Sequence, residues 1–414
     1  MKFELIAPCH FGLEVCTKKE IEQLSLELGT VSDGRVSFYG DEHAVCRSNI
    51  FLRTAERVLL KTGEFTAVSW DELFEKTKAI PWERYIPADG RVWVAKASSI
   101  KSKLFSPKDF QTIIQKAIVT RLQAVYGMEG QRLPMNGADF ALRVFAFKDV
   151  ITIGIDTSGE SLHKRGYRKL AAKAPITETL AAALLMLTPW RPDRILVDPF
   201  CGSGTFCIEA AMIAAGIAPG MNRNFAATAW TDLIPKKYWY EAYDEAYAAA
   251  DAAAEARNAY PDKTDIQGYD IDGEIVACAR ENARAAGVEG YIHFQQRAVS
   301  ELHHPKKYGF IVTNPPYGER ISEKEELPAL YRTLGERFAA LPDWSMYLIT
   351  AYEDAEKYIG RKADRNRKIY NGMMKTYFYS FQGKKPPKRE DKMTSEAGGK
   401  MTSGMRDEHQ QVTD

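Results

Sequence analysis

An apolar run, Ile195-Leu196-Val197, leads straight into Asp198-Pro199-Phe200-Cys201-Gly202-Ser203-Gly204-Thr205 and then into a helix-compatible stretch from Phe206 to Ala215. Strand, glycine turn and helix in that order belong to open α/β sheets, which hold an adenosine-type cofactor at a strand's carboxyl end. Gly202 and Gly204 let the backbone turn tightly and approach a ligand where a Cβ would intrude. Asp198 ends the strand, in position to meet a cofactor's amino group, and Thr205 opens the helix and can cap it. The turn lacks a Gly-Lys-Ser/Thr ending and does not have the spacing of GxGxxG, which disfavours a P-loop and a dinucleotide fingerprint.

The pattern around this turn extends the constraint. Short apolar strands at Ile195–Val197, Ile266–Tyr269, Tyr291–Gln295, Gly309–Val312 and Ser345–Thr350 alternate with helical stretches. A closing hairpin at Lys368–Tyr370 and Lys375–Phe381 turns through Asn371-Gly372. This rhythm predicts an α/β fold with a mostly parallel, doubly wound sheet over about residues 158–383. A helix is expected after Ala174-Pro175, opened by Thr177 and Glu178. The second strand ends in Asp270-Ile271-Asp272. A carboxylate there can accept both hydrogen bonds of a ribose diol; Asp270 is assigned that role and Asp272 the capping of the next helix. The candidate cofactor set is therefore Asp198, Phe200, Cys201, Gly202, Ser203, Gly204, Thr205, Asp270 and Ile271.

Asn314-Pro315-Pro316-Tyr317 follows the fourth strand. An exocyclic amine conjugated with its ring is a poor nucleophile, because its lone pair is delocalised. Two acceptors, the Asn314 side-chain carbonyl and the Pro315 backbone carbonyl, would localise that lone pair and aim the nitrogen at an electrophilic methyl. Pro315 and Pro316 stiffen the loop, and Tyr317 offers a stacking face to a base pulled from its neighbours. A plain tight turn after a strand is the structural alternative.

Upstream of this domain two blocks are expected. Residues 1–65 read as an α+β element, with a strand at Phe3–Ala7, a helix through Leu13 to Leu28, a strand at Arg35–Tyr39 and helical periodicity from Val45 to Leu60. Residues 66–157 mix strands and helices without a βαβ rhythm, as a compact accessory domain. Between the first two catalytic strands lies a long insertion, about Pro219 to Asp265. Its aromatic stripe, Tyr238 to Tyr247, reads first as packing. Residues 384–414 are polar and expected to be disordered. A formal net charge of +1 gives no global polycationic signal, so any attraction for nucleic acid must be local. Six scattered cysteines without a CxxC pair argue against a disulfide framework or a metal site; Cys9-His10 with Cys16 could be imagined as metal ligands, but the two cysteines read as core residues in an early strand and helix. No segment approaches a membrane span or a secretory signal, so the expected setting is the cytoplasm.

The order of the two motifs resembles class I S-adenosylmethionine-dependent methyltransferases acting on exocyclic amines of nucleic acids. The resemblance is closer to THUMP-containing RNA methyltransferases, on two stretches: Asp156–Arg168 followed by Ala174–Leu180, and Asn314-Pro315-Pro316-Tyr317-Gly318-Glu319-Arg320. It covers nearly the whole chain to about Gly383. It implies a ferredoxin-like region, a THUMP domain for RNA and a Rossmann-like catalytic domain. It further implies S-adenosylmethionine as cofactor and N2-methylguanosine as product, with 23S ribosomal RNA or a ribosome precursor as partner. The chain departs from the pattern after its third strand, where Gln295-Gln296-Arg297-Ala298 carries no acid for the adenine amine. Basic residues Lys101 and Lys103 beside Phe105, and Lys164, Arg165 and Arg168 before the catalytic domain, are the expected RNA contacts; Lys96, Lys108, Lys116, Arg121, Lys169 and Lys173 flank them. Two alternatives stay open: methylation of adenine N6 in RNA or DNA, and a non-catalytic RNA-binding ribosome-assembly factor.

Overall fold

The computed structural model describes residues 1–168, 176–259, 265–318, 321–372 and 374–387. Lys169 and Lys173 of the basic run, Ala174-Pro175, Glu319, Arg320 and the tail beyond residue 387 lie outside the described residues.

The first half of the chain forms β1 (Phe3–Pro8), α1 (Glu14–Gln23), β2 (Glu27–Ser32), β3 (Arg35–Gly40), α2 (Glu42–Phe51), β4 (Leu59–Thr66), α3 (Trp70–Ala79), β5 (Arg91–Ile100), α4 (Pro107–Val125), β6 (Asp139–Phe147) and β7 (Val150–Asp156). One seven-stranded sheet, in the order β2-β3-β1-β4-β7-β6-β5, runs through both expected blocks. The join is β4, which pairs with β1 on one side and β7 on the other. The helical periodicity expected up to Leu60 stops at Phe51, and Val58-Leu59-Leu60 is instead the buried start of β4. A short apolar run buried on both faces has no period by which to tell strand from helix. β2 escaped notice because it is a largely exposed edge strand with little apolar content.

The second half forms α5 (Glu178–Leu187), β8 (Leu196–Asp198), α6 (Thr205–Ala214), α7 (Lys236–Ala259), β9 (Ile266–Asp270), α8 (Gly273–Ala285), β10 (Ile292–Gln296), β11 (Phe310–Thr313), α9 (Ile321–Ala339), β12 (Ser345–Thr350), α10 (Ala355–Ile359), β13 (Arg365–Asn371) and β14 (Met374–Phe381). Its sheet has the order β10-β9-β8-β11-β12-β14-β13, with five parallel strands and an antiparallel closing pair. This is the doubly wound sheet that the alternating pattern predicts. Strand order reverses between β8 and β11, so the carboxyl ends of those neighbours flank the switch-point crevice. β8 and β11 are fully buried, which is why both read as unbroken apolar runs.

The long insertion does not extend the catalytic sheet; it packs on the first half's core. Trp230 stacks on Phe140 at 4.8 Å and donates its indole N–H to the Asp139 carbonyl at 2.9 Å. Trp239 is buried against Phe225. The stripe is mixed, however, since Tyr240 and Tyr247 remain exposed.

Buried charge also ties the halves together, and it corrects two sequence expectations. Arg165, expected to meet RNA, is 3% exposed. Its guanidinium faces Glu209 of α6 at 3.4 Å and donates to the carbonyls of Leu162 and Arg53. Arg168, likewise expected to meet RNA, faces Glu178 at 3.3 Å and donates to the Thr205 hydroxyl and the Ile176 carbonyl, both at 2.8 Å. Both guanidiniums are engaged by carboxylates and carbonyls inside the fold rather than presented to solvent, and both clamp α6. Removing Arg165 takes the facing cation from the buried Glu209 carboxylate, leaving the Tyr167 hydroxyl at 3.2 Å as its hydrogen-bond donor. Arg165→Ala is therefore expected to lower the unfolding free energy by about 3–5 kcal/mol in denaturant titrations. The double variant Arg165→Met/Glu209→Leu should recover most of that loss.

Candidate active site

The glycine turn is held from every side. Cys201 donates its backbone N–H to the Tyr269 carbonyl at 2.8 Å, and Gly202 donates to the Asp270 carboxylate at 3.1 Å. Asn282 of α8 donates to the Ser203 carbonyl at 3.1 Å. Gly202 has φ +52°, and a Cβ there would meet nothing within 4 Å, so the turn faces open space. Gly204, at φ +87°, is the N-cap of α6, and a Cβ on it would press on Phe294 at 2.9 Å. Thr205 is thus the first helical residue rather than the cap, and its hydroxyl accepts from Arg168.

Asp198 is 1% exposed. One carboxylate oxygen accepts from the Phe200 N–H at 3.1 Å and from the Thr313 hydroxyl at 2.6 Å. Burial pushes its carboxyl up to about 7, against the lowering effect of those two hydrogen bonds. Asp270 is also raised by burial, while the backbone N–H groups of Asp272 and Gly202 favour its ionised form. Asp272 caps α8 by accepting from Glu274 and Ile275 at 2.9 and 3.3 Å. Ile271, 73% exposed beside Asp270, leaves a bare apolar face at the β9 tip of the kind an adenine ring covers. At the tip of β10, where an acid is missing, Gln296 donates its side-chain amide to the Ile271 carbonyl at 3.0 Å. These residues fit S-adenosylmethionine: an acceptor for its ammonium, a carboxylate for its ribose and an apolar wall for its base.

Asn314-Pro315-Pro316-Tyr317 leaves the next strand tip, directly after Thr313. The Asn314 side-chain oxygen is buried and has no hydrogen-bond partner. Such an oxygen costs free energy unless something arrives to satisfy it. Tyr331 of α9 braces the loop by donating to the Pro316 carbonyl at 3.1 Å, with Thr350 at 2.6 Å from the same hydroxyl. Beside the loop opens a cavity of about 410 Å³ lined by Tyr317, Gly318, Leu327, Ala351, Tyr352, Glu353, Asp354 and Met374. Thr313, Tyr331, Tyr352, Glu353 and Asp354 were missed in the sequence. The signal for the last three was their position just past β12, since the carboxyl ends of parallel strands are where such sheets bind ligands.

The remaining RNA expectations fall elsewhere. Lys101, Lys103 and Phe105 are exposed, Phe105 at 77%, on the turn between β5 and α4. Lys164 is exposed and paired with Glu160 at 3.1 Å. Arg121 is engaged with Glu83 at 2.6 Å.

Asp198 generates a two-sided pH test. A cationic cofactor group selects the ionised carboxylate, so S-adenosylmethionine affinity should fall about tenfold between roughly pH 8 and pH 6. Calorimetric titration of wild type against Asp198→Asn checks this, and the variant should give a flat profile. The cofactor-free protein should trend oppositely. A carboxyl whose pKa is raised on folding binds its proton more tightly in the folded state, so this group's contribution to stability rises as pH falls from about 7 to about 4.

Comparison with known proteins gives three family matches along the chain. Residues 4–59 match the RlmL ferredoxin-like domain, residues 67–156 the THUMP domain, and residues 165–379 the RMKL-like methyltransferase domain. The chain is 43% identical over 389 residues to a Bacillus subtilis (strain 168) protein named "Putative RNA methyltransferase YpsC", covering 94% of this chain and 98% of that one. It is 33% identical over 392 residues to the ribosomal RNA large subunit methyltransferase K/L of Syntrophotalea carbinolica, covering 92% of this chain and 53% of the relative. The chain thus spans about half the length of that K/L relative. Among solved structures, SMU.472, described as "a putative methyltransferase complexed with SAH", superposes with TM-score 0.85 at 41% identity, over 93% of this chain and 99% of that one. A structure from Listeria monocytogenes described as "a predicted N6-adenine-specific DNA methylase" superposes with TM-score 0.85 at 44% identity, over 93% and 97%. Set beside a glycine turn and acidic strand tips that fit the donor, these matches make the chain a member of the RMKL-like family of S-adenosylmethionine-dependent methyltransferases, in its THUMP-bearing form.

Proposed function

We propose that the chain methylates the exocyclic 2-amino group of a guanine in RNA, with large-subunit ribosomal RNA in the cytoplasm as its substrate class. The carrying observation is the buried, unpartnered side-chain oxygen of Asn314. With the Pro315 carbonyl it forms a pair of acceptors suited to the two hydrogens of an amine. Accepting both concentrates the lone pair on nitrogen and orients it, so no base is needed before transfer. The cofactor supplies an electrophilic methyl on a sulfonium; the chain's own residues do the positioning.

The base choice rests on the neighbouring cavity. Glu353 and Asp354 line it, and both are acceptors when ionised. A flipped guanine presents contiguous donors, N1–H and the 2-amine, on its Watson–Crick edge, whereas adenine turns the N1 lone pair toward such carboxylates. The Listeria structure's name favours adenine, yet two carboxylates beside the amine grip suit guanine better. Tyr317 and Tyr352 supply ring faces for the base, a contact worth ~1–3 kcal/mol. Support for RNA comes from the THUMP match and from the names of the YpsC and K/L relatives.

Purified protein incubated with donor and ribosomal RNA should yield N2-methylguanosine on nucleoside mass spectrometry; N6-methyladenosine in its place would overturn the guanine assignment. Asn314→Ala should lower turnover by about 10²–10³-fold while leaving donor affinity intact. Glu353→Gln and Asp354→Asn should act mainly on KM for the RNA, by roughly tenfold for whichever carboxylate meets N1–H.

A further inference from the structure

We propose that the β13–β14 hairpin is the track along which the RNA strand flanking the target nucleotide lies, an inference that rests on the RNA reading above. In a chain of net charge +1, the stretch from Arg361 to Lys375 holds six basic residues against one acid, Asp364. β13 is the outermost strand of the catalytic sheet, and Arg365, Arg367, Lys368 and Tyr370 on it are all exposed.

The internal uses of these cations separate structure from ligand. Arg361 pairs with Asp364 at 2.9 Å, and Arg367 donates to the Gly12 carbonyl at 2.7 Å. Among the described residues, Arg365, Lys368 and Lys375 have no carboxylate within ion-pairing distance. An edge strand dressed in lysine and arginine can be explained as protection against edge-to-edge pairing. That explanation does not require aromatic rings among the charges, and here they alternate. Lys368 lies over Tyr370 at 5.3 Å and Lys375 over Tyr377 at 5.0 Å. Tyr370 also meets Phe11 edge-on at 6.5 Å, and Phe11 is 51% exposed. Cations interleaved with exposed rings are what single-stranded RNA binds, by phosphate contact and base stacking.

Continuity with the site fixes the occupant. Met374, the first residue of β14, lines the cavity beside Tyr317, so the hairpin runs from the base cavity to the Phe11 loop of the first half. A base lodged in that cavity carries its backbone neighbours out over the hairpin. The expected strand is unpaired RNA.

The test is fluorescence anisotropy of a short unstructured oligoribonucleotide containing guanine, over a range of salt. The variant Arg365→Gln/Lys368→Gln/Lys375→Gln should weaken binding by roughly tenfold or more and reduce the slope of log affinity against log salt by about 2, or about 0.7 per lost contact. Donor affinity and thermal midpoint should match wild type. If the triple variant fails to fold, Lys368→Gln and Lys375→Gln singly should each show the smaller slope change. Unchanged slopes in variants of a wild type that binds RNA would overturn the track and leave the proposed function standing. Equal hairpin-dependent binding of an oligodeoxyribonucleotide would overturn RNA as the preferred occupant. A wild type that binds the oligoribonucleotide through the hairpin but forms no N2-methylguanosine would support the track and sink the guanine assignment instead.

Discussion

The hydrogen bond from the Thr313 hydroxyl to the Asp198 carboxylate, 2.6 Å long and fully buried, joins the tips of two neighbouring parallel strands. One tip opens the glycine turn; the other opens Asn314-Pro315-Pro316-Tyr317. Transfer between two bound molecules demands that donor and acceptor be placed to within fractions of an ångström, since misplacement by about 1 Å can cost 10²-fold in rate. Adjacent strands already fix the coarse spacing. The Thr313 hydroxyl adds a direct link between the two motifs proposed to face donor and acceptor. It also lets the carboxylate at the β8 tip remain ionisable near neutrality despite burial, by giving it a donor inside the fold.

Around that link the fold adds stiffness in layers. Asp270, Tyr269 and Asn282 hold the glycine turn through its backbone, and Tyr331 holds the proline loop through the Pro316 carbonyl. Arg165 and Arg168 clamp the helix that follows the turn. Both arginines come from the segment joining the two halves, so the first half and the cofactor turn share buried polar contacts. The side-chain oxygen of Asn314, by contrast, is a buried acceptor without a hydrogen-bond partner at the mouth of the site, where the proposed substrate amine would satisfy it. Local departures from full satisfaction are where function is expected.

Much of this was legible in the amino-acid order. β8 and β11 declare themselves by apolar runs ending in motifs, and glycine with φ above zero is required where Gly202 and Gly204 stand. Asp272 as a cap followed from its place before a helix. Other features were illegible for physical reasons. Charge in a sequence does not say which side of the surface it lies on, so Arg165 and Arg168 read as RNA contacts although both are spent on buried carboxylates. The cluster at Lys368 and Lys375 went unread because the hairpin presents itself first as secondary structure. Glu353 and Asp354 follow β12 with no motif around them, and only the topology brings them beside Tyr317. The continuity of the first sheet through β4 depends on long-range pairing that no local pattern announces.

The central claim is geometric: two strand tips, locked together, point an amine and a methyl donor at each other. A crystal structure with S-adenosylhomocysteine and a guanine-containing oligoribonucleotide tests it directly. The account predicts the guanine 2-amine within hydrogen-bonding distance of both the Asn314 side-chain oxygen and the Pro315 carbonyl. It also predicts the sulfur facing that nitrogen, with room for a methyl carbon about 3–3.5 Å from it. A sulfur directed away from Asn314, or a base seated outside the cavity of Tyr317 and Tyr352, would contradict it.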